Sequence, residues 1–367
     1  MRLQDFSPKY GDFYAPAYAV RVAGADLMRD SLIAVTQVEV DLVLGAMSRF
    51  SFTVANAFDT DRREFLDASG KDLLETLTFG AEVEVAAGYG DASSLSVLIS
   101  GVITEVGTNF ADGGAPELTV AGYDHAYPLS VGKNSASWAR RRDSDVAADV
   151  ARFHNLATDI TPTKVQQPQI EQNQESDLEF IKKLADRNER YKVYVTERTL
   201  HFAPARDKQD PVATLPYGAG LLSFKPEANL AGQVGAVEIV GWDTARKEAI
   251  VGRARRGDEP GRDPRRDSAG DYLQSVVRGP PTLRLRQPVH SQAEADERAR
   301  AALAERAQEF LTGEGETLGL PEIRPDTMVA LEAIGRRFSK AYYVEEATHR
   351  VDGNGYRTRF KVKETTL

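Results

Sequence analysis

The residues able to do chemistry are present throughout the chain but are not organised. Five histidines, His125, His154, His201, His290 and His349, stand apart, without the HExxH pairing or another spacing that would put two ring nitrogens on one metal. No serine sits in the GxSxG turn that exposes a nucleophile, and nothing selects one Ser-His-Asp set from the many that distant positions allow. Asp and Glu number 55, so a glycosidase-type carboxylate pair exists on paper with no residue to single it out. In GEGETLG, Gly313 to Gly319, two glycines hold the register of a dinucleotide fingerprint. Leu318 fills the third place, however, and the stretch follows a helical pattern where a strand is required, so it reads as a turn into a strand. SGKD, Ser69 to Asp72, lacks both the upstream glycine and the following Ser or Thr of a phosphate loop. No catalytic, cofactor-binding or metal-ligating residue is assigned, and the expectation is a protein that is not an enzyme and holds no cofactor.

Two stretches do commit to local structure. In ESDLEFIKKLADRNERYKVYV, residues 175 to 195, Ser176 and Glu179 have the spacing of a capping box, in which each satisfies a backbone N–H of the other, so a helix starts at Asp177. Leu178, Ile181 and Leu184 recur at helical spacing with Phe180 beside them, and Lys182, Lys183, Asp186 and Arg187 form the wet face. After Asn188 the period falls to two. Tyr191, Val193 and Val195 alternate with Lys192 and Tyr194, and Leu200-His201-Phe202 follows, which predicts a hairpin. Ser291 and Glu294 repeat the box before a helix through Ala295, Ala299, Leu303, Ala307 and Phe310, whose alanines permit close approach to a sheet. These four residues, Ser176, Glu179, Ser291 and Glu294, are read as folding motifs rather than chemistry. Local physics alone leaves open whether the 175–195 stretch is an ordinary amphipathic helix in some α+β domain.

At 367 residues the chain exceeds the usual single-domain size, so two or three domains are expected. A net charge of −9 argues against a general nucleic-acid binder working through a large basic surface. The absence of cysteine removes disulfides, thiolate zinc sites, cysteine-ligated clusters and Cys nucleophiles. The N-terminus has no charged-then-apolar signal pattern, and no run of roughly 18 apolar residues appears, so synthesis in the cytoplasm without membrane insertion is expected.

From Ala15 to about Asp124 the period is two, with strands over 18–22, 33–44, 50–55, 83–87, 97–110 and 117–122 and one helical stretch around 62–77, broken near Gly70. From Ser130 to about Pro216 the character changes: Asp143-Ser144-Asp145 opens a helix with Val146, Val150 and Phe153, and a polar Gln/Pro connector leads to the 175–195 motif. From Leu221 the first pattern returns, with strands over 237–241 and 249–254. It ends in AYYVEEATHRVDGNGYRTRFKV, a long hairpin turning at Asp352-Gly353-Asn354-Gly355. The earlier SGVITEVGTNFADGGAPELTV has the same form, which reads either as a weak internal duplication or as two unrelated hairpins with common turn chemistry. Residues 253–267, RARRGDEPGRDPRRD, are too charged to bury apolar area and read as a mobile loop; the Arg256-Gly257-Asp258 within it is too short a motif to use. Arg140-Arg141-Arg142 reads as a dock for an acidic partner or, more plainly, as a solvated approach to a helix.

The pattern Gln172, Glu175-Ser176-Asp177-Leu178, Phe180-Ile181, Leu184-Ala185, followed by an aromatic hairpin, resembles the late control D family of phage tail hub proteins and the N-terminal part of the VgrG spikes of type VI secretion. In order along the chain, Asp143 to Ala147, Leu222 to Pro226, Ile239 to Asp243 and the closing Tyr342-Tyr343-Val344, His349 and Gly355-Tyr356 agree with it. The resemblance implies an α+β, β-rich fold: two tail-tube-like β-barrel domains, residues 1–129 and 217–367, with a helix-plus-hairpin module, 130–216, inserted between them and a mobile loop near 253–270. It implies a structural central hub of a contractile tail or injection-system baseplate, a homotrimer adapting the sixfold tail tube to the threefold spike. Duplication within one chain would give three copies six quasi-equivalent positions. The implied partners are the tail tube protein, other baseplate proteins and a separate spike protein, since only Glu364 to Leu367 follow the closing strand. A baseplate-associated cell-wall hydrolase and a carbohydrate-binding β protein using some of the 13 tyrosines are the rival readings.

Overall fold

A computed structural model describes residues 1–91, 94–243, 247–259 and 265–367. Helix α1, Leu3–Tyr10, precedes strands β1 (Pro16–Val22), β2 (Ala25–Asp26), β3 (Ala34–Val43) and β4 (Arg49–Ala55). A small hairpin, β5 (Phe58–Asp59) and β6 (Glu64–Phe65), and the one-turn helix α2 (Leu73–Thr76) lead to β7 (Glu82–Tyr89), β8 (Ser96–Asn109) and β9 (Glu117–Asp124). Alternation builds these strands: Val38, Val40, Phe50, Phe52 and Val54 are buried, while Glu39, Asp41, Ser51 and Thr53 point the other way. The helical stretch expected around 62–77, broken near Gly70, keeps only the turn after that break, α2. The Asp67 carboxylate accepts the N–H groups of Ser69 and Lys71, a local turn that takes the donors a helix would need, and Asp72 caps the turn that remains.

The middle of the chain runs α3 (Tyr127–Ser130), β10 (Asn134–Arg142), α4 (Asp143–Phe153), β11 (Ala157–Ile160), β12 (Gln166–Glu175), α5 (Asp177–Asp186), β13 (Tyr191–Thr196) and β14 (Thr199–Pro204). The Gln/Pro stretch expected to be a connector is strand β12, and the arginine run expected to lead into a helix as solvated coil is the end of strand β10; the two pair as an antiparallel ribbon. Their polar composition hides the strands, because a two-stranded ribbon with a wet face carries little hydrophobic alternation. Its inner side is pinned by Ile170 and by Trp138 stacked on Phe180. Helices α4 and α5 are tied by the buried Asp143 carboxylate, which accepts from Arg187 and from Asn188 Nδ2 at 2.7 Å.

The last part contains β15 (Ala213–Pro216), β16 (Leu221–Ala228), β17 (Ala236–Asp243), β18 (Glu248–Arg255), α6 (Ala269–Val276), β19 (Thr282–Arg286), α7 (Gln292–Gln308), β20 (Leu311–Leu318), β21 (Met328–Glu332), β22 (Lys340–Asp352) and β23 (Gly355–Glu364). The mobile loop expected near 253–270 is largely structured where it is described. Strand β18 runs to Arg255, Glu259 is buried against the Ser268 hydroxyl, and α6 begins at Ala269; residues 260–264 lie outside the described residues. Charge did not prevent order because the acids are used as caps: Asp258 takes the Arg255 N–H and Asp271 the Ser268 N–H. GEGETLG is mostly strand β20 rather than a turn. Gly313 and Gly315 face the core, where a Cβ would stand 2.5 Å from the Phe224 ring and 2.4 Å from the Phe360 ring.

The main sheet runs β16-β20-β23-β22-β3-β4-β9-β8-β7-β1-β2, with β21 and β15 branching from β22. Strand β22 divides its edge: Lys340 to Tyr343 pair with β21, and Glu346 to Val351 pair with β3. Through β3 and β22 the two strand-rich parts become one sheet, over one hydrophobic cluster reaching from Phe6 to Val362. The architecture is therefore α+β and β-rich, with the helix-and-hairpin segment between the two strand-rich parts. That segment has its own core, Ala126 to Phe202, and a third core lies where α7 covers the sheet β18-β17-β19. Helix α7 comes so close that a Cβ on Gly252 would stand 2.1 Å from the Ala295 backbone carbonyl. It also holds the middle segment: Glu297, 4% exposed, accepts from Lys164 at 3.2 Å, from the Glu189 N–H at 3.2 Å and from Arg300 at 2.8 Å.

Candidate functional site

At the start of α5 the Ser176 hydroxyl accepts the Glu179 N–H at 3.3 Å, and the Glu179 carboxylate accepts the Ser176 N–H at 2.9 Å and its hydroxyl at 3.0 Å. Those bonds, from the backbone first, hold the Glu179 carboxyl below its ordinary range. At α7 only half of the arrangement forms. Ser291 accepts the Glu294 N–H at 3.2 Å, but the Glu294 carboxylate turns to the His290 N–H at 2.8 Å and to Arg298 at 2.5 Å. Arg298 draws it away, an ion pair outcompeting the return bond to the cap.

The histidines stay dispersed. His154 contacts Asp177 at 2.7 Å and His201 contacts Asp159 at 3.0 Å; among the described residues no hydroxyl bonds to either ring. His349 does meet hydroxyls, Tyr356 at 2.9 Å and Thr358 at 3.2 Å, but it is 1% exposed beneath the sheet, out of reach of any substrate. Burial pushes its imidazole down to about 3, so it is a neutral core residue. No group of three or more His, Asp or Glu among the described residues is placed to hold a metal, and no helix is long and apolar enough to cross a membrane. Of the 13 tyrosines only Tyr14 and Tyr217 are exposed, so a sugar-binding face made of tyrosines has few rings to draw on.

The organised feature is the outer face of the main sheet. Strand register sets charged residues side by side in rows that cross it. One row reads Lys225, Glu314, Lys361, Glu346 across β16, β20, β23 and β22, alternating in sign at every step. The next reads Glu316, Arg359, Thr348, Asp41, Arg49 and continues onto β4. Three contacts follow the register, Lys361 to Glu346 at 2.7 Å, Arg359 to Glu316 at 3.1 Å and Thr348 Oγ1 donating to Asp41 at 2.7 Å, while Arg49 reaches across β9 to Glu105 on β8 at 3.2 Å. Arg350 and Arg357 face each other, yet each has a carboxylate, Asp352 at 2.8 Å with Glu39 at 3.5 Å for the first and Glu316 at 3.8 Å for the second. The Lys361 ammonium is held above its ordinary range by its bond to Glu346. Cations and carboxylates nearly balance, and each exposed pair contributes little to stability, about 0–1 kcal/mol. Such a surface keeps water and presents no large field of either sign. Its sequence signal was available: Glu314 and Glu316, and Arg357, Arg359 and Lys361, recur every second residue on strands. Which strands would neighbour one another was not.

The fold recurs in solved structures. A 43 kDa tail protein of prophage MuSo2 from Shewanella oneidensis superposes with a TM-score of 0.69 at 13% identity, over 95% of this chain and 98% of that one. A tail protein from Neisseria meningitidis MC58 gives 0.66 at 15%, over 96% and 97%. The E. coli c3393 protein, a type VI secretion component with structural similarity to the T4 tail proteins gp27 and gp5, gives 0.53 at 12%, over 94% and 76%. The fold is that of phage tail and VgrG-like proteins. The chain matches the family described as Alg8 N-terminal domain over residues 15–353, and it belongs to that family. No curated protein matches its sequence.

Proposed function

We propose that this protein is a structural hub of a contractile tail or injection-system baseplate, without catalytic activity of its own, and that within the tail proteins it is of the late control D type. The observation that carries the reading is the end-to-end likeness to the MuSo2 tail protein, which leaves neither chain with a large unmatched part. In this reading residues 1–129 and 217–367 are the two tube-like parts and 130–216 the insertion. Three copies surround a central opening, joining a sixfold tube to a threefold spike, and the charge-laddered face lines that opening. A wall of self-paired charges suits a water-filled passage, because it stays hydrated and binds neither sign of cargo strongly. The partners are a second and third copy, the tube protein, the spike and other baseplate proteins.

The test is co-expression with the spike encoded nearby, followed by mass measurement and thiol labelling. The chain has no cysteine, so Thr348→Cys supplies a unique probe. A complex of three hubs per threefold spike, in which Thr348→Cys reacts with a small maleimide but not with a large polymer-linked one, is expected. A complex without threefold symmetry overturns the hub reading, and a thiol inert to both reagents overturns the assignment of the face.

A further inference from the structure

Helix α7 covers one side of the sheet β18-β17-β19, where Val237, Ile239, Ile250 and Ala254 are buried; the other side is wet. The register runs unbroken through both pairings and fixes what stands there. Arg253 and Arg284 flank Glu238 across the three strands. Arg255 lies one step along, beside Ala236, and Arg286 one step the other way, beside Val240, with Trp242 next on β17. All four arginines are exposed, and Trp242 is 58% exposed.

Charge on this side is unbalanced, unlike that of the laddered face, where each arginine has a carboxylate. Here Glu238 stands among four guanidiniums. Arg253 takes its Oε1 at 3.1 Å and Arg284 its Oε2 at 2.8 Å, while Arg255 and Arg286 meet no carboxylate among the described residues. A cationic patch on a chain of net charge −9 draws anionic surfaces to itself. Arginine and tryptophan are also the residue types that most often carry binding energy at protein interfaces, and an arginine fork matches a carboxylate with two parallel bonds. Arg255 and Arg286 are two strands and four residues apart, roughly 16 Å by strand spacing and rise, so each meets its own carboxylate on a folded partner. A phosphate backbone fits less well, because Glu238 sits in the middle of the face and the chain as a whole repels a polyanion. On this chain's own laddered face Glu316 and Glu346 are already held by cations, so a second copy offers no equivalent acid there.

We propose that the outer face of β17, β18 and β19 docks an acidic surface of another protein of the particle, whose carboxylates meet Arg255 and Arg286 while an apolar group covers Trp242. That the partner belongs to a particle rests on the hub reading; the unbalanced charge does not. Arg255→Lys and Arg286→Lys keep the charge and add amines that a carbodiimide joins only to a carboxylate in direct contact. In the purified tail particle those two positions should cross-link to Asp or Glu of a different protein, and hydroxyl-radical oxidation of Trp242 should fall relative to the isolated chain. Arg255→Gln with Arg286→Gln should leave the melting temperature unchanged, yet enter particles roughly tenfold less well in competition with the wild type, the worth of one charge-assisted hydrogen bond. The difference should shrink in high salt. Trp242 oxidised equally in chain and particle, with no cross-links, overturns the proposal. Cross-links to a second copy of this chain overturn the choice of partner, and protection of Trp242 without cross-links overturns its acidic character. Binding of the isolated chain to a short fluorescent DNA duplex at physiological salt, abolished by the double Gln variant, overturns the protein partner in favour of nucleic acid. A chain that enters no particle overturns the hub reading, on which the source of the partner rests.

Discussion

Replacing Gly252 with alanine should disturb the joint between α7 and the middle segment out of proportion to the one methyl added. The new Cβ would stand 2.1 Å from the carbonyl carbon and oxygen of Ala295, where ordinary contacts begin at 3.4 Å. Both atoms are backbone, so no side chain can swing aside, and α7 must retreat by a distance on the order of 1 Å. Overpacking of this kind costs about 1–3 kcal/mol. The retreat also moves Glu297, whose bonds to Lys164 and the Glu189 N–H are already 3.2 Å and would leave hydrogen-bonding range. Gly241→Ala is the control: there the Cβ meets a side chain first, Val289 Cγ2 at 2.2 Å, so Val289→Ala should relieve it. Urea denaturation of the two single variants and the 241/289 pair, with amide exchange at Glu189, separates the cases. Gly252→Ala should lower the midpoint and expose the Glu189 amide, whereas Gly241→Ala with Val289→Ala should show a favourable coupling of about 1 kcal/mol or more. Gly252→Ala within about 0.5 kcal/mol of the wild type, the usual scatter of a neutral change, would refute the packing argument.

Glu179→Gln should leave α5, the fold and assembly intact because an amide oxygen can still close the box, while Glu179→Ala should speed exchange of the Ser176 amide; a folded, assembled Glu179→Gln protein that had lost a measurable hydrolysis would make Glu179 catalytic. His349, neutral in the fold, should show no titration above about pH 4 by NMR, and its depressed value means stability is complete above about pH 6.5 and falls as the pH drops below that, by up to about 1.4 kcal/mol per unit. A His349 ring titrating near its ordinary value would sink the burial argument. Glu346→Lys sets a cation opposite Lys361 on a half-exposed face and should cost no more than about 1 kcal/mol, recovered in high salt. A larger loss that ignores salt would mean the face is packed rather than wet.

The strands of the main sheet were legible because Val38, Val40, Phe50 and Phe52 alternate with polar residues, and burial on one face leaves that mark. Helix α5 was legible from its cap and its apolar stripe. Strand β12 was not, since a ribbon wet on one side buries little beyond Gln167, Ile170 and Gln172, and α6 was hidden by the charges that cap it. The half-formed box at Ser291 depended on Arg298, four residues beyond Glu294, whose pull a spacing rule does not weigh. For the charge-laddered face, the period of two was readable within each strand, but the pairing of β22 with β3 carries no local signal.

That pairing also sets a schedule for synthesis. Strand β3 lies near the start of the chain, and its partner β22 is made only after the whole middle segment and α7, so the pairing of Glu39 with Arg350 closes one of the longest loops the chain allows. Non-local pairings of this kind fold slowly, and the waiting strand is open to wrong partners. The segment from Ala126 to Phe202, with a core of its own, can condense on the ribosome while β3 is still unpaired. Nascent chains stalled before residue 340 should therefore hold a folded middle and a sticky N-terminal part, and the yield of soluble protein should follow how fast the last hairpin emerges.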